Sequence, residues 1–156
     1  MQTRHGQPAS REAASGRGIG FREQITEHHC IQGWSGIAKW GGTPMAKLPE
    51  GVKPDSSAKY AVFYSHTDGQ DGGRNYDVHK IQHMYHKNTI LAYEMNGKPL
   101  DELHGAPLRL RNELELGFKQ IKWVQAVEFA ETFKQLGSGE GGFNEDNEYY
   151  GYRAPI

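Results

Sequence analysis

The chain has 156 residues, 36% hydrophobic and 24% charged, with a formal net charge of −1. This balance fits one soluble globular domain and excludes a general basic surface for nucleic acid or anionic membrane. A single cysteine excludes an internal disulfide framework, no apolar run reaches membrane-spanning length, and twenty glycines favour a turn-rich fold over a helical bundle.

Residues 1–22 read as a disordered leader, in which glycines and serines alternate with Arg4, Arg11, Arg17 and Arg22. No secretory apolar segment follows Met1, and Arg11-Glu12 is not a twin arginine. The chain as it stands is therefore expected to be cytoplasmic, or to have lost a targeting segment. The structured domain is expected over 23–156. Ile25 to Ile31 alternates as a strand, Gly33 breaks it, and a second short strand is predicted from Gly36 to Trp40. Gly41, Gly42 and Pro44 mark a turn, and 45–58 a loop.

Lys59 to Ser65 is rich in aromatic and β-branched side chains and gives the clearest strand signal. The Asp-Gly pairs in the following stretch, Thr67 to Gly73, mark a tight loop. Asp77 to His86 has helical spacing, which would set His79, His83 and His86 on one face, a pattern that suits zinc. The glutamate expected between two such histidines in a metallohydrolase is absent. Thr89 to Met95 reads as a strand closed by Asn96-Gly97, a pair that favours positive φ. An extended pattern resumes at Leu108 to Arg111. Residues 120–131 fit either a strand or a helix. Tyr149, Tyr150 and Tyr152 make the C-terminal segment unusually aromatic, which favours docking.

Three segments combine polar groups with glycine punctuation. In the first, His29-Cys30-Ile31-Gln32-Gly33-Trp34-Ser35, the lone thiol is either a buried small hydrophobe or a reactive group and soft-metal ligand. One cysteine does not build a structural zinc site, but it can be the single protein ligand of a metal held otherwise by a cofactor. The second runs from Asn96 to Leu110. If 107–110 is extended, Arg109 projects opposite to Leu108 and Leu110, where a guanidinium suits a phosphate or a planar heterocycle, with His104 beside it. In the third, Lys119-Gln120-Ile121-Lys122-Trp123, two lysines three apart either neutralise a phosphate or form a solvated face.

In this order, the three segments resemble the molybdopterin-binding catalytic domain of the sulfite oxidase family over roughly residues 25–156. The most specific part is His104-Gly105-Ala106-Pro107-Leu108-Arg109 followed by Gly117 and Lys122-Trp123, with Leu91 to Gly97 upstream. The resemblance implies an α+β class: a β-rich mixed fold, with 120–127 as a strand. It implies molybdopterin as cofactor, Cys30 as the molybdenum ligand and Tyr149 near the metal's oxo group. His104, Arg109, Gln120, Ile121 and Lys122 would bind the cofactor, with Asp68 or Asp71 near the pterin. The function implied is molybdopterin-dependent oxygen-atom transfer, with a small oxo-donor or oxo-acceptor substrate and a separate electron-transfer protein. Sulfite oxidases proper carry an arginine pair where Gly33-Trp34-Ser35-Gly36 stands here. The form Cys30-Ile31-Gln32-Gly33-Trp34-Ser35 is more similar to the bacterial branch that includes methionine-sulfoxide reductase catalytic subunits. The family's upstream asparagine–histidine segment has no match before Cys30. The expectation is a site completed by another chain, or a shortened homologue; the alternative function is a cofactor-free interaction module.

Overall fold

The computed structural model describes residues 20–48, 54–68, 74–147, 151 and 153–156. Most of the expected leader and Tyr149 lie outside the described residues. Two antiparallel sheets make up the fold. The first contains β1 (Arg22–His29), β2 (Ser35–Pro44), β5 (Thr89–Met95), β6 (Lys98–Pro99) and β7 (Arg109–Asn112). They pair in the order β1-β2-β5, with β6 and β7 both on β5. The second has the order β4 (Arg74–Lys80), β3 (Tyr60–Asp68), β8 (Val124–Ala130). Among the described residues there are also two short α-helices, α1 (Ile81–Met84) and α2 (Phe143–Asn147), and two single 3-10 turns, Met45–Lys47 and Gly117–Lys119. None of these helices is long and apolar enough to cross a membrane.

Side-chain alternation along β5 and β7 separates two environments. Leu91 and Leu110 join Ala61, Phe63, Met84, Ile121 and Val124 in the main core, which bridges the two sheets. Ile90 and Ala92 point the other way and pack with Trp40 and Leu100. Arg109 and Arg111 occupy this second face, opposite Ala92 and Ile90 in the ladder. As expected, Arg109 projects opposite to Leu110.

Three expectations are corrected. Gly41 and Gly42 do not turn the chain: β2 runs through them to Pro44, with a bulge between them. A Cβ on Gly42 would stand 2.1 Å from the Leu91 carbonyl oxygen, so this position serves close strand approach. Asp77 to His86 is not a helix. β4 extends to Lys80, and only Ile81–Met84 is helical. Both faces of β4 are covered, because Asp77 and His79 find buried polar partners while Tyr76 and Val78 fill the smaller core. Lys119 is not on a solvated face. It is fully buried and paired with Asp77 and Glu145. Residues 120–131 resolve as a strand, but only from Val124. The Asn96-Gly97 turn has φ of 53° and 76°, as its sequence requires.

Candidate functional site

The β1–β2 hairpin delivers the cysteine. Cys30 N–H donates to the Trp34 carbonyl at 2.9 Å, and Gly33 N–H donates to the Cys30 carbonyl at 3.0 Å. Gly33 closes this loop with φ of 90°, a conformation a side chain strongly disfavours. Cys30 is thereby half-buried at one wall of a cleft of about 690 Å³.

The floor is set by β2 and β7. The Arg109 and Arg111 guanidiniums stand 4.9 Å and 4.5 Å from the Trp40 ring centroid, close enough for cation–π attraction. The two arginines are differently paired. Arg111 donates to both oxygens of Glu113, at 3.0 and 2.8 Å, and to His28 Nδ1 at 2.7 Å. Among the described residues, Arg109 donates only to the carbonyls of His104 (3.1 Å) and Gln120 (3.4 Å). Its Nε is buried without a partner among the described residues. Burial, followed by the charge of Arg111, pushes the Arg109 pKa down to about 10. Burial and the neighbouring arginines push His28 down to about 4.

The third wall comes from the segment after β7. Leu110 N–H donates to the Ile121 carbonyl at 2.9 Å, and Val124 N–H to the Leu108 carbonyl at 2.8 Å. These bonds hold Gln120 to Trp123 alongside β7. Lys122 Nζ donates to the Leu103 carbonyl (2.9 Å) and Trp123 Nε1 to the Glu102 carbonyl (2.7 Å), clamping the turn that carries His104. Trp123 has φ of 55°, a strained value for an aromatic residue, and such strain concentrates at functional sites. His104 is exposed, held by Asp101 through its backbone N–H (2.8 Å) and Nδ1 (2.6 Å).

Cys30, His104, Arg109, Gln120, Ile121 and Lys122 all line this one cleft, although they are spread over more than ninety positions. Asp68 is not among the lining residues. It ends β3 opposite Arg74, in the second sheet. His28, Trp34, Trp40, Arg111 and Trp123 also line the cleft and were not singled out as site residues from the sequence. For Arg111 a signal existed: two positions after Arg109 in an extended run, it had to share its face. His79, His83 and His86 do not form one helical face, because His79 lies on β4 and only His83 on α1; Asn112 Nδ2 nevertheless donates to both His79 Nδ1 (2.9 Å) and His83 Nδ1 (3.3 Å). His79 is buried on β4, its Nε2–H donating to the Lys119 carbonyl at 2.9 Å and its Nδ1 accepting from Asn112 at 2.9 Å. Among the described residues no group of three or more His, Cys, Asp or Glu side chains is disposed to hold a metal.

The donor set suits a molybdopterin. The described lining carries three cations (Arg109, Arg111 and Lys122), one thiol and no carboxylate. Of these three cations, Arg111 alone has a carboxylate partner among the described residues, Glu113. Among the described residues, Arg109 Nε, Trp40 Nε1 and Gln120 Oε1 are buried without partners, a costly state for the bare protein. Two donors and one acceptor of this kind match a polar heterocycle bearing a phosphate, and the thiol matches a soft metal.

Residues 5–136 match the family described as "Oxidoreductase molybdopterin binding domain". The chain is 35% identical over 128 residues to a protein-methionine-sulfoxide reductase catalytic subunit MsrP from Xanthomonas axonopodis pv. citri, covering 76% of this chain and 40% of that protein. It is 32% identical over 127 residues to a putative protein-methionine-sulfoxide reductase subunit YedZ1 from Azospira oryzae, covering 81% of this chain and 44% of the relative. The chain thus spans about two fifths of the length of these relatives. Its fold is similar to that of the sulfane dehydrogenase SoxCD from Paracoccus pantotrophus, with a TM-score of 0.66 at 16% identity over 77% of this chain and 34% of that one. With this β-rich fold, this cleft and these relatives, the chain belongs to the oxidoreductase molybdopterin-binding domain family.

Proposed function

We propose that this chain holds a molybdopterin in the cleft and serves oxygen-atom transfer at a sulfur–oxygen substrate. The observation that carries the reading is the convergence of Cys30 with the buried Arg109, which among the described residues donates to backbone carbonyls and to no carboxylate, on one cleft whose described lining has no carboxylate. Cys30 supplies the sulfur that binds the metal. Arg109 and Lys122 supply positive charge for the pterin phosphate, and the Gln120–Ile121 segment lines the pterin's place. His104 and its partner Asp101 guard the exposed mouth. The family resemblance supports a role for Tyr149, which lies outside the described residues, at the reacting oxygen. The bound group supplies a centre that changes oxidation state by two electrons while an oxygen atom is exchanged with substrate.

The names of the relatives favour a sulfoxide over sulfite as substrate, and Gly33-Trp34-Ser35-Gly36 favours the same choice. Sulfoxide reduction takes two electrons and two protons and yields a thioether and water. Those electrons come from a separate electron-transfer protein.

Elemental and pterin analysis of the purified protein tests the reading. Stoichiometric molybdenum with extractable pterin is the expected result. Cys30→Ser is expected to abolish sulfoxide reduction by a reduced viologen dye and to change the metal's spectrum. A folded protein free of both metal and pterin, or full turnover in Cys30→Ser, sinks it.

A further inference from the structure

The cofactor assignment leaves His79 unused, a buried ring behind the third wall of the cleft. It sits in a chain of hydrogen bonds with a backbone group at each end. Leu114 N–H donates to Asn112 Oδ1 (3.3 Å), and Asn112 Nδ2 donates to His79 Nδ1 (2.9 Å). His79 Nε2 in turn lies 2.9 Å from the Lys119 carbonyl oxygen. A backbone N–H only donates and a carbonyl only accepts, so the two ends fix the polarity of everything between them. Reversing the Asn112 amide would set its NH2 group against Leu114 N–H. Reversing the ring would set a lone pair against the Lys119 carbonyl. His79 is therefore the neutral Nε2–H tautomer. Phe63 meets the ring edge-on, with centroids 5.6 Å apart, and His79 is only 2% exposed, so both bonds are shielded from water.

The chain of bonds ends where the cleft wall begins. Three successive carbonyls carry the backbone from the buried Lys119 to Ile121, and each has its own donor. Lys119 accepts from His79, Gln120 from Arg109 at 3.4 Å, and Ile121 from Leu110 N–H at 2.9 Å. Arg109 and Leu110 both belong to β7, so of the three donors His79 alone reaches the wall from the second sheet, through β4. Gln120 has φ of −100° and ψ of 72°, outside helical and strand geometry, so no regular element holds the wall at this point. A group that fixes the backbone of a binding segment from behind sets where its side chains stand. The second bond of Asn112, to His83 Nδ1 at 3.3 Å, leads away from the wall.

We infer that His79 is a positioning residue of the cofactor wall: it holds the Lys119 carbonyl from the core side, and Asn112 sets the tautomer that makes it a donor. The consequence for the cofactor rests on the molybdopterin reading, while the tautomer and the hold on the wall are independent of it.

The test uses the full chain, labelled with 15N. Long-range 1H–15N correlation at pH 7 is expected to show His79 as the Nε2–H tautomer. His79→Gln offers an amide in place of the ring, with its oxygen toward Asn112 and its NH2 group toward Lys119. It is expected to keep the amide signals of Gln120 and Ile121 and the pterin extracted per folded chain. In His79→Gln/Asn112→Asp the new carboxylate turns that amide round and sets its oxygen against the Lys119 carbonyl. Both amide signals are expected to shift and the extracted pterin to fall about tenfold. His79→Met, which offers neither donor nor acceptor, is expected to show the same loss, and it supplies the readout should the double variant not fold. His83→Leu breaks the other Asn112 bond and is expected to change neither the wall amides nor the pterin, whereas a merely structural role for this polar cluster would lower pterin in both. Any other tautomer in the parent, or equal pterin and wall amides in His79→Gln and in the double or Met variant, overturns the inference. A parent chain without pterin defeats the molybdopterin reading instead, and the tautomer and the wall amides then decide this one.

Discussion

Gly117 lies flush against His28: a Cβ on the glycine would stand 2.2 Å from the imidazole Nε2 and 3.2 Å from the His29 carbonyl oxygen. The segment that leads into Gln120 and Lys122 therefore presses on the hairpin that carries Cys30. Gly117→Ala must displace the ring or the segment. The expected destabilisation is about 1–3 kcal/mol, the usual range for overpacking, read from urea unfolding. In a His28→Ala background the same change is expected to cost much less, because the clashing ring is gone. Equal costs in both backgrounds would show that the two residues do not press on each other.

The same contact explains what could be read from sequence and what could not. β5 and its Asn96-Gly97 turn were legible because local chemistry and tertiary environment agree there. Gly41 and Gly42 were not, because their use is set by the approach of Leu91, a residue far away in sequence. The stretch from Asp77 was misread because Val78, Ile81 and Met84 imitate a helical stripe. The period-two signal of β4 was masked by Asp77 and His79, polar residues buried on the other face of the strand. In the cleft, Arg109 and Lys122 were legible through a family pattern. Trp40 was not, since nothing local says that a tryptophan will lie under two guanidiniums.

Arg109 separates binding from stability. It is buried, it has no carboxylate partner recorded among the described residues, and its Nε is unpartnered. Replacing such a cation by an apolar side chain of similar length is often neutral or stabilising. Arg109→Met is expected to leave the urea midpoint unchanged or raised, while pterin content falls. Cofactor content is read by pterin extraction from the purified variant. Normal pterin occupancy in this variant would remove Arg109 from the binding assignment.

The Lys119 cluster predicts the opposite balance. Lys119 Nζ contacts Asp77 and Glu145, and all three side chains are buried. Burial raises Asp77 well above its ordinary value, against the pull of Lys119, while the two carboxylates raise Lys119 despite its burial. Lys119→Met leaves two carboxylates facing each other out of water, and is expected to cost about 3–5 kcal/mol. The triple change Lys119→Met/Asp77→Leu/Glu145→Leu is expected to recover much of that loss, since no charge then remains to be solvated. Urea denaturation with constant slope measures both. A single variant as stable as the parent would mean that water reaches the cluster.

Buried imidazoles set the acid side of the stability profile. His28 is pushed down to about 4, first by burial and then by Arg111 and Arg109. His79 is held well below its ordinary value, first by burial and then by the charge of Lys119. His83 is lowered by burial, against the opposing pull of Glu115. In each case the folded value lies below the unfolded value of 6.5. As pH falls below that value, the unfolded chain takes up protons that the folded chain refuses, so the equilibrium moves toward unfolding. The stabilisation from these neutral rings is complete above the unfolded value and is lost progressively as pH drops toward 4. The urea midpoint is therefore expected to fall from pH 7 to pH 5, with little change in slope. His79→Gln keeps a side-chain amide able to bond the Lys119 carbonyl and Asn112, and it removes one titrating ring. The pH dependence of this variant is expected to be shallower than that of the parent. A midpoint that stays level from pH 7 to pH 5 would mean that the rings are protonated in the folded chain, and it would contradict the donor assignment of His79 Nε2 to the Lys119 carbonyl with Nδ1 as acceptor.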